Sequence, residues 1–143
     1  MSEIVVPSID VVIPVYNAPV LTKRCIDSVV SCLSTSIGNI YIQDDASNIE
    51  THEMLDNLPY QNIHISHSIK NKGFGASVNI AINRSNASYI LVLNSDTKIN
   101  ENILLPLYSA MLADSKLAVI MPISNDYINQ NLDQYLRQPG NYI

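Results

Sequence analysis

No apolar run in this chain approaches the roughly 20 residues needed to cross a bilayer. Its opening, Met1-Ser-Glu-Ile, lacks the charged-then-apolar order of a secretion signal. Together these absences predict a cytoplasmic protein without a transmembrane segment. Basic residues are also few: eight Lys and Arg stand against thirteen Asp and Glu, for a net charge of -5, and they form no basic stripe. Nucleic acid and anionic membrane surfaces are therefore poor candidates for the main partner. An acidic chain still accepts a phosphate-bearing ligand when a metal ion supplies the positive charge.

Cysteine is scarce as well. Cys25 and Cys32 are the only two, and on one helix they lie roughly 10 Å apart along the axis, beyond disulfide reach. No histidine or third cysteine sits at ligand spacing, which predicts free, mostly buried thiols. His52, His64 and His67 are scattered and read as surface or loop histidines. There is no Gly-Lys-Ser/Thr, so no phosphate-cradling P-loop. The Gly-any-Gly at Gly73 and Gly75 follows the third strand, with Val78 where a third glycine would stand, which excludes a dinucleotide fingerprint. Neither an internal repeat nor a linker is visible.

What is present suits one α/β core: 143 residues, 47% of them hydrophobic. Ile9 to Asn17 opens with a β-branched run that Pro14 interrupts near its end. From Pro19 to about Leu33, the residues Leu21, Cys25, Ile26, Val29, Val30 and Leu33 recur at helical spacing. A second strand, Ile40 to Asp45, leads through Ala46-Ser-Asn into a helix from Glu50 to Leu58, which Pro59 stops. Ile63 to Ser66 gives a third strand, and the loop from Ile69 to Gly75 calls for glycine's freedom at Gly73 and Gly75. A helix carrying Ala76, Val78, Ile80, Ala81 and Ile82 follows. Tyr89 to Leu93 is an unbroken apolar run, the pattern of a parallel strand covered on both faces. Ile103 to Ala113 predicts a helix with Pro106 in its first turn, and Leu117 to Pro122 a fifth strand. Residues 1–124 form the expected core, and 125–143 an irregular tail with a short helix near Asn131 to Leu136.

The informative fact is positional. Tyr16 and Asn17, then Asp44 and Asp45, then Asn94, Ser95 and Asp96 all fall where a strand hands over to a loop on one edge of a parallel sheet, and the loop from Asn71 to Gly75 enters nearby. Open α/β sheets bind ligands on that edge. Oxygen-rich turns there also suit hard cations, although Asn, Ser, Asp and Thr equally favour plain turns and helix caps.

Val11-Val-Ile-Pro-Val-Tyr-Asn17, Gln43-Asp-Asp-Ala-Ser47, Asn71-Lys-Gly-Phe-Gly-Ala76 with Asn79, and Leu93-Asn-Ser-Asp-Thr97 resemble, in order and spacing, the successive motifs of family 2 glycosyltransferases. The resemblance spans roughly Ile9 to Asn125 and lies nearest the rhamnosyltransferase-like members. It implies a GT-A fold, a Rossmann-like sandwich with a mostly parallel central sheet flanked by helices. It also implies a UDP- or dTDP-sugar donor, a glycan or lipid-linked acceptor, an inverting transfer in bacterial cell-surface polysaccharide assembly, and a divalent cation, Mg or Mn. By the same resemblance Pro14, Val15, Tyr16 and Asn17 floor the nucleotide, Asp45 accepts from the base's ring N–H, and Asp44 supports the turn. Asn71, Gly73 and Asn79 form a second nucleotide-side segment, while Asn94 and Asp96 take the places of the family's metal-binding Asp-any-Asp, with Asp96 as the metal ligand.

Two departures stand out. Asn94 replaces the first acid of that signature with an uncharged amide, leaving more of the cation's coordination to the donor diphosphate. The family's acceptor-activating acid lies many tens of residues further on, and Asp126 and Asp133, the carboxylates after the expected fifth strand, sit in no such motif. No general base is assigned, and the chain reads as a donor-binding half, peripheral at the inner membrane face in its full-length form. A nucleotide-sugar-binding module without turnover is the alternative. A phosphoacceptor receiver domain is more remote, because its acidic pair follows the first strand and it needs a lysine after the fifth.

Overall fold

The computed structural model describes residues 8–122. Four strands, β1 (Ile9–Val15), β2 (Ile40–Asp44), β3 (Ile63–His67) and β4 (Tyr89–Val92), form one sheet in the order β3-β2-β1-β4. All three pairings are parallel. Helices α1 (Pro19–Leu33), α2 (Ile49–Asp56) and α3 (Phe74–Ile82) connect the strands. This is the expected α/β alternation, with the parallel sheet flanked by helices.

Every residue of β1 is buried, from Ile9 to Val15. Its side chains join Ile26, Val29 and Leu33 of α1, Ile40 and Ile42 of β2, Leu55 of α2 and Ala81 of α3 in the core. Each large apolar side chain buried there stabilises the fold by about 1.5–3 kcal/mol. Pro14 costs the ladder nothing, because the side it faces is open. Val11 and Val15 bond towards β2, whereas Val12 accepts from Leu93 N at 3.0 Å on the β4 side. Pro14, two residues beyond Val12, therefore faces β4, whose pairing has ended at Val12 with Val92.

Several helix boundaries follow from local chemistry. Asn48 caps α2, its side chain accepting from Thr51 N at 3.0 Å and from the Thr51 hydroxyl at 2.7 Å. Gly73 enters α3 with φ 86, a left-handed value that favours glycine. Gly75 does not need that freedom: it sits inside the first turn of α3 and shows no positive φ. Asn17 and Ala18 precede α1 with φ 58 and φ 55, turning the chain sharply off the end of β1.

Two expectations are corrected. β4 is not covered on both faces: it stands at an edge of the described sheet, three of its residues are half-buried, and Val92 is exposed. The fifth strand is absent among the described residues. At its expected start Leu117 N turns back to Asp114 O at 3.1 Å, and Val119 and Met121 are exposed, so an apolar β-branched run without a ladder partner remains irregular. The chain divides into two compact units at Asn102 and Ile103. The described part of the second contains α4 (Leu104–Ala113), with Pro106 in its first turn as expected. The expected boundary near residue 124 and the short helix near Asn131 lie outside the described residues.

The amino-terminal ends of the strands are tied by Asp10, which is buried. Its carboxylate accepts from Asn39 N at 2.8 Å and from the Ser85 hydroxyl. A Cβ on Gly38 would meet Asp10 Oδ1 at 2.8 Å. Because both oxygens are already bonded, the carboxylate has little room to yield. Gly38→Ala is expected to destabilise the protein by about 1–3 kcal/mol, the usual cost of overpacking, read as a lower urea midpoint with an unchanged slope.

Candidate functional site

The end of β2 carries two acids that do different work. Asp44 accepts from Ser47 N at 3.0 Å through Oδ1 and pairs with His67 Nδ1 at 2.7 Å through Oδ2, so it supports the turn as expected. Asp45 accepts from Lys72 N and from Gly73 N, both at 2.8 Å. Asn71 Oδ1 also accepts from Gly73 N, at 3.1 Å. One buried carboxylate thus ties the loop before α3 to the end of β2. Asn17 joins the loop after β1 to the same region, its N–H donating to Ser47 Oγ and its side-chain oxygen accepting from Asn48 N, each at 2.8 Å.

The turn after β4 is held by one helix. Along α1, Arg24 donates to Asp96 O at 3.4 Å and Cys25 Sγ to Asn94 O at 3.5 Å. Ser28 Oγ accepts from Ile99 N at 3.0 Å, and Cys32 Sγ donates to Ile99 O at 3.5 Å. Both thiols are free, as expected, with Cys25 buried and Cys32 half-buried. Burial first, and the Asp96 carboxylate second, push the Cys25 thiol up to about 11.

Between these loops opens a cavity of about 540 Å³ at the carboxyl ends of β1 and β4. From β1 the chain adds β2 and β3 on one side, and β4 is then placed on the other side of β1, the reversal of strand order at which such sheets bind ligands. Of the residues named from the sequence, Pro14, Val15, Tyr16, Asp45, Asn71, Gly73, Asn94 and Asp96 line it, whereas Asn17 and Asn79 do not. Asn17 is committed to the loop bonds just described. Asp45 and Asp96 face one space, Asp45 buried and Asp96 exposed.

Sequence reasoning missed Leu21, Phe74 and Ser77 in that lining. Leu21 fits the apolar period of α1, yet it is exposed to the cavity rather than buried in the core. Phe74, also exposed, is the chain's one phenylalanine. Ser77 Oγ is buried and has no hydrogen-bond partner among the described residues. A cation in this cavity would meet a single uncommitted carboxylate, Asp96, beside the amide oxygen of Asn94 and the hydroxyl of Ser95. That set fits a hard divalent ion that takes its remaining oxygens from a phosphate and water. Asp126 and Asp133 lie outside the described residues.

Two histidines read as scattered are in fact brought together. His52 on α2 and His67 at the end of β3 stack with ring centroids 3.7 Å apart. Burial opposes a charge on His67, but the hydrogen bonds to Asp44 and Asp56 outweigh it and raise its pKa. His64 stacks instead on Tyr41, at 5.1 Å.

Residues 10–142 match the family model described as Glycosyl transferase family 2. The chain is 33% identical over 105 residues to the poly(ribitol-phosphate) beta-glucosyltransferase of Bacillus spizizenii, covering 71% of this chain and 17% of that one. It is 27% identical over 110 residues to glycosyltransferase GlyG of Streptococcus pneumoniae serotype 4, covering 76% of this chain and 35% of that one. Among solved structures, S. aureus TarS 1-349 superposes with TM-score 0.65 at 19% identity, over 82% of this chain and 39% of that one. The same protein in complex with UDP gives TM-score 0.65 at 18% identity. The chain therefore has the GT-A fold of TarS, and it spans well under half the length of each of these relatives.

Two outcomes follow from this geometry. Asp45→Ala removes the acceptor of the Lys72 amide and leaves the Gly73 amide only the Asn71 side chain, and is expected to cost about 1–3 kcal/mol in urea unfolding. Cys25 is expected to react with iodoacetamide at pH 8 about 100-fold more slowly than an unhindered thiol, because its raised pKa leaves little thiolate. The stabilisation linked to that neutral thiol is complete below the unfolded-state pKa and is lost as pH rises through about 11. Native-state labelling followed by mass spectrometry reads the rate.

Proposed function

Since this chain belongs to glycosyl transferase family 2, we propose that it binds a UDP- or dTDP-sugar in the cavity at the ends of β1 and β4 and supplies the donor half of an inverting sugar transfer. The product would be a cell-surface polysaccharide, built on a glycan or lipid-linked acceptor hydroxyl. The observation that carries this reading is the convergence of Asp45, Asp96 and Tyr16 on one cavity of nucleotide size.

The roles follow from the chemistry of each group. Tyr16 is 56% exposed and offers a ring face to a pyrimidine, with Pro14 and Val15 beneath. Asp45 uses one acceptor position on each oxygen for the loop amides. A carboxylate has about four such positions, so capacity remains for the single N–H of a pyrimidine imide. Gly73, at φ 86, brings backbone close to the ligand without a side chain in the way. Asp96, with Asn94 beside it, would hold a magnesium or manganese ion against the donor diphosphate, and such an ion stabilises the leaving nucleoside diphosphate. The UDP complex among the structural neighbours supports the choice of nucleotide.

A second reading, donor binding without turnover, is favoured by the single uncommitted carboxylate in the cavity. The two separate on one experiment. UDP is titrated with and without manganese while thermal unfolding is followed, and sugar release from a UDP-sugar is assayed in parallel. UDP at a hundred times its dissociation constant is expected to add about 2.7 kcal/mol of stability. Asp96→Ala is expected to abolish the manganese-dependent part, at least about tenfold in affinity, while leaving the unliganded Tm nearly unchanged, because an exposed rim carboxylate contributes little to the core. Binding without sugar release would favour the module, and no response to UDP or, titrated in the same way, to dTDP would remove both readings.

A further inference from the structure

A second constellation of metal-ligating groups lies outside the nucleotide cavity. Asp44 at the end of β2, His52 on α2 and His67 at the end of β3 bring three ligand atoms within 4.8 Å of one another. Asp44 Oδ2 is 2.7 Å from His67 Nδ1 and 3.8 Å from His52 Nδ1. We propose that Asp44, His52 and His67 form a binding site for a borderline divalent transition ion of the zinc type, separate from the cation site at Asp96.

Three features support it. The first is the donor set: two imidazoles and a carboxylate prefer zinc-like ions over magnesium or manganese, which favour oxygen alone. The second is spacing, since metal–ligand bonds of about 2.0–2.1 Å put neighbouring ligands of a tetrahedron about 3.3 Å apart. The two Asp44 distances bracket that value. The third is the far side of the rings. Asp56 meets His67 Nε2 at 3.1 Å and His52 Nε2 at 3.3 Å, so each imidazole turns one nitrogen to Asp44 and the other to a second carboxylate. That is how metal-binding histidines are held, with the outer N–H donated to an acid that fixes tautomer and orientation. The two carboxylates also match the charge of a dication.

Ligation is a simple exchange. With His67 as the imidazolium, the Nδ1 proton leaves to solvent as the nitrogen lone pair takes the ion, and the remaining ring proton sits on Nε2 facing Asp56. The rings are stacked with an interplanar angle of 19°, so one must swing for both lone pairs to converge. His52 is the ring that moves, since its side chain is 40% exposed and its contact to Asp56, at 3.3 Å, is longer than that of His67 at 3.1 Å. Water completes the coordination. An ion there would fasten β2, α2 and β3 together beside Asp45.

The test uses the purified chain without nucleotide, stripped with a chelator and titrated with zinc chloride by calorimetry and thermal unfolding, with magnesium chloride as the comparison. One equivalent of zinc and a rise in Tm are expected, with no response to magnesium. His52→Ala and His67→Ala are each expected to lower zinc affinity at least tenfold. His52 is the decisive position, because a half-buried residue on the outer side of a helix is replaced without loss of fold, which circular dichroism verifies. Cobalt in place of zinc should give absorption bands without thiolate charge transfer, separating this site from Cys25 and Cys32. Zinc affinity unchanged in His52→Ala, a thiolate band with cobalt, or no zinc-dependent rise in Tm would overturn the proposal and leave a hydrogen-bonded Asp–His network. None of these outcomes touches the UDP reading, which rests on manganese and Asp96.

Discussion

One buried carboxylate sets the geometry of the cavity at the carboxyl ends of β1 and β4. Asp45 accepts two backbone N–H groups from a loop far along the chain, and through them it fixes where Gly73 begins α3. A charge at the end of a central strand is costly to bury unless donors meet it. Here the donors are backbone amides that would otherwise need partners of their own. Each side thus satisfies the other, and the loop entering α3 is tied to the end of β2. Asp44, its neighbour, turns the other way and locks its own turn and β3. Consecutive residues at the end of an extended strand project to opposite sides, which lets adjacent acids serve two different structures.

The fold was largely legible because its signals are local and repeated. β1, α1, β2, α2, β3, α3 and α4 each announce themselves by period or by a capping residue such as Asn48, and the parallel alternation follows. Where the sequence misled, the missing information was tertiary. Tyr89 to Val92 and Leu117 to Pro122 carry similar apolar, β-rich composition, yet only the first finds a ladder partner among the described residues, in β1. Composition describes what a segment tolerates, and pairing decides what it becomes. Gly75 shows the same limit on a smaller scale: the residue type permits a left-handed turn, and the backbone takes the helix.

The candidate cavity was legible to the extent that it is built from strand ends, since topology alone sends those to one rim. Residues reaching it from helices, Leu21 and Ser77 among them, left no trace in a reading organised by strand ends. Asn17 illustrates a different confusion. It stands at the end of β1 as expected, but its backbone N–H and side-chain oxygen are spent on Ser47 and Asn48. The pairing of His52 with His67 was invisible for a simpler reason: nothing in the spacing of two distant histidines shows that α2 packs beside the end of β3.

The four contacts from α1 to the segment from Asn94 to Ile99 have a thermodynamic consequence. Turns that reach for an ion usually surrender conformational freedom when it arrives, and that entropy is subtracted from affinity. Arg24, Cys25, Ser28 and Cys32 have already frozen this one against a helix, during folding rather than during capture. In the proposed cation site Asp96 would therefore stand on a turn already braced by a helix, and its affinity for an ion would be set in part by two thiols and a hydroxyl that bond its neighbours.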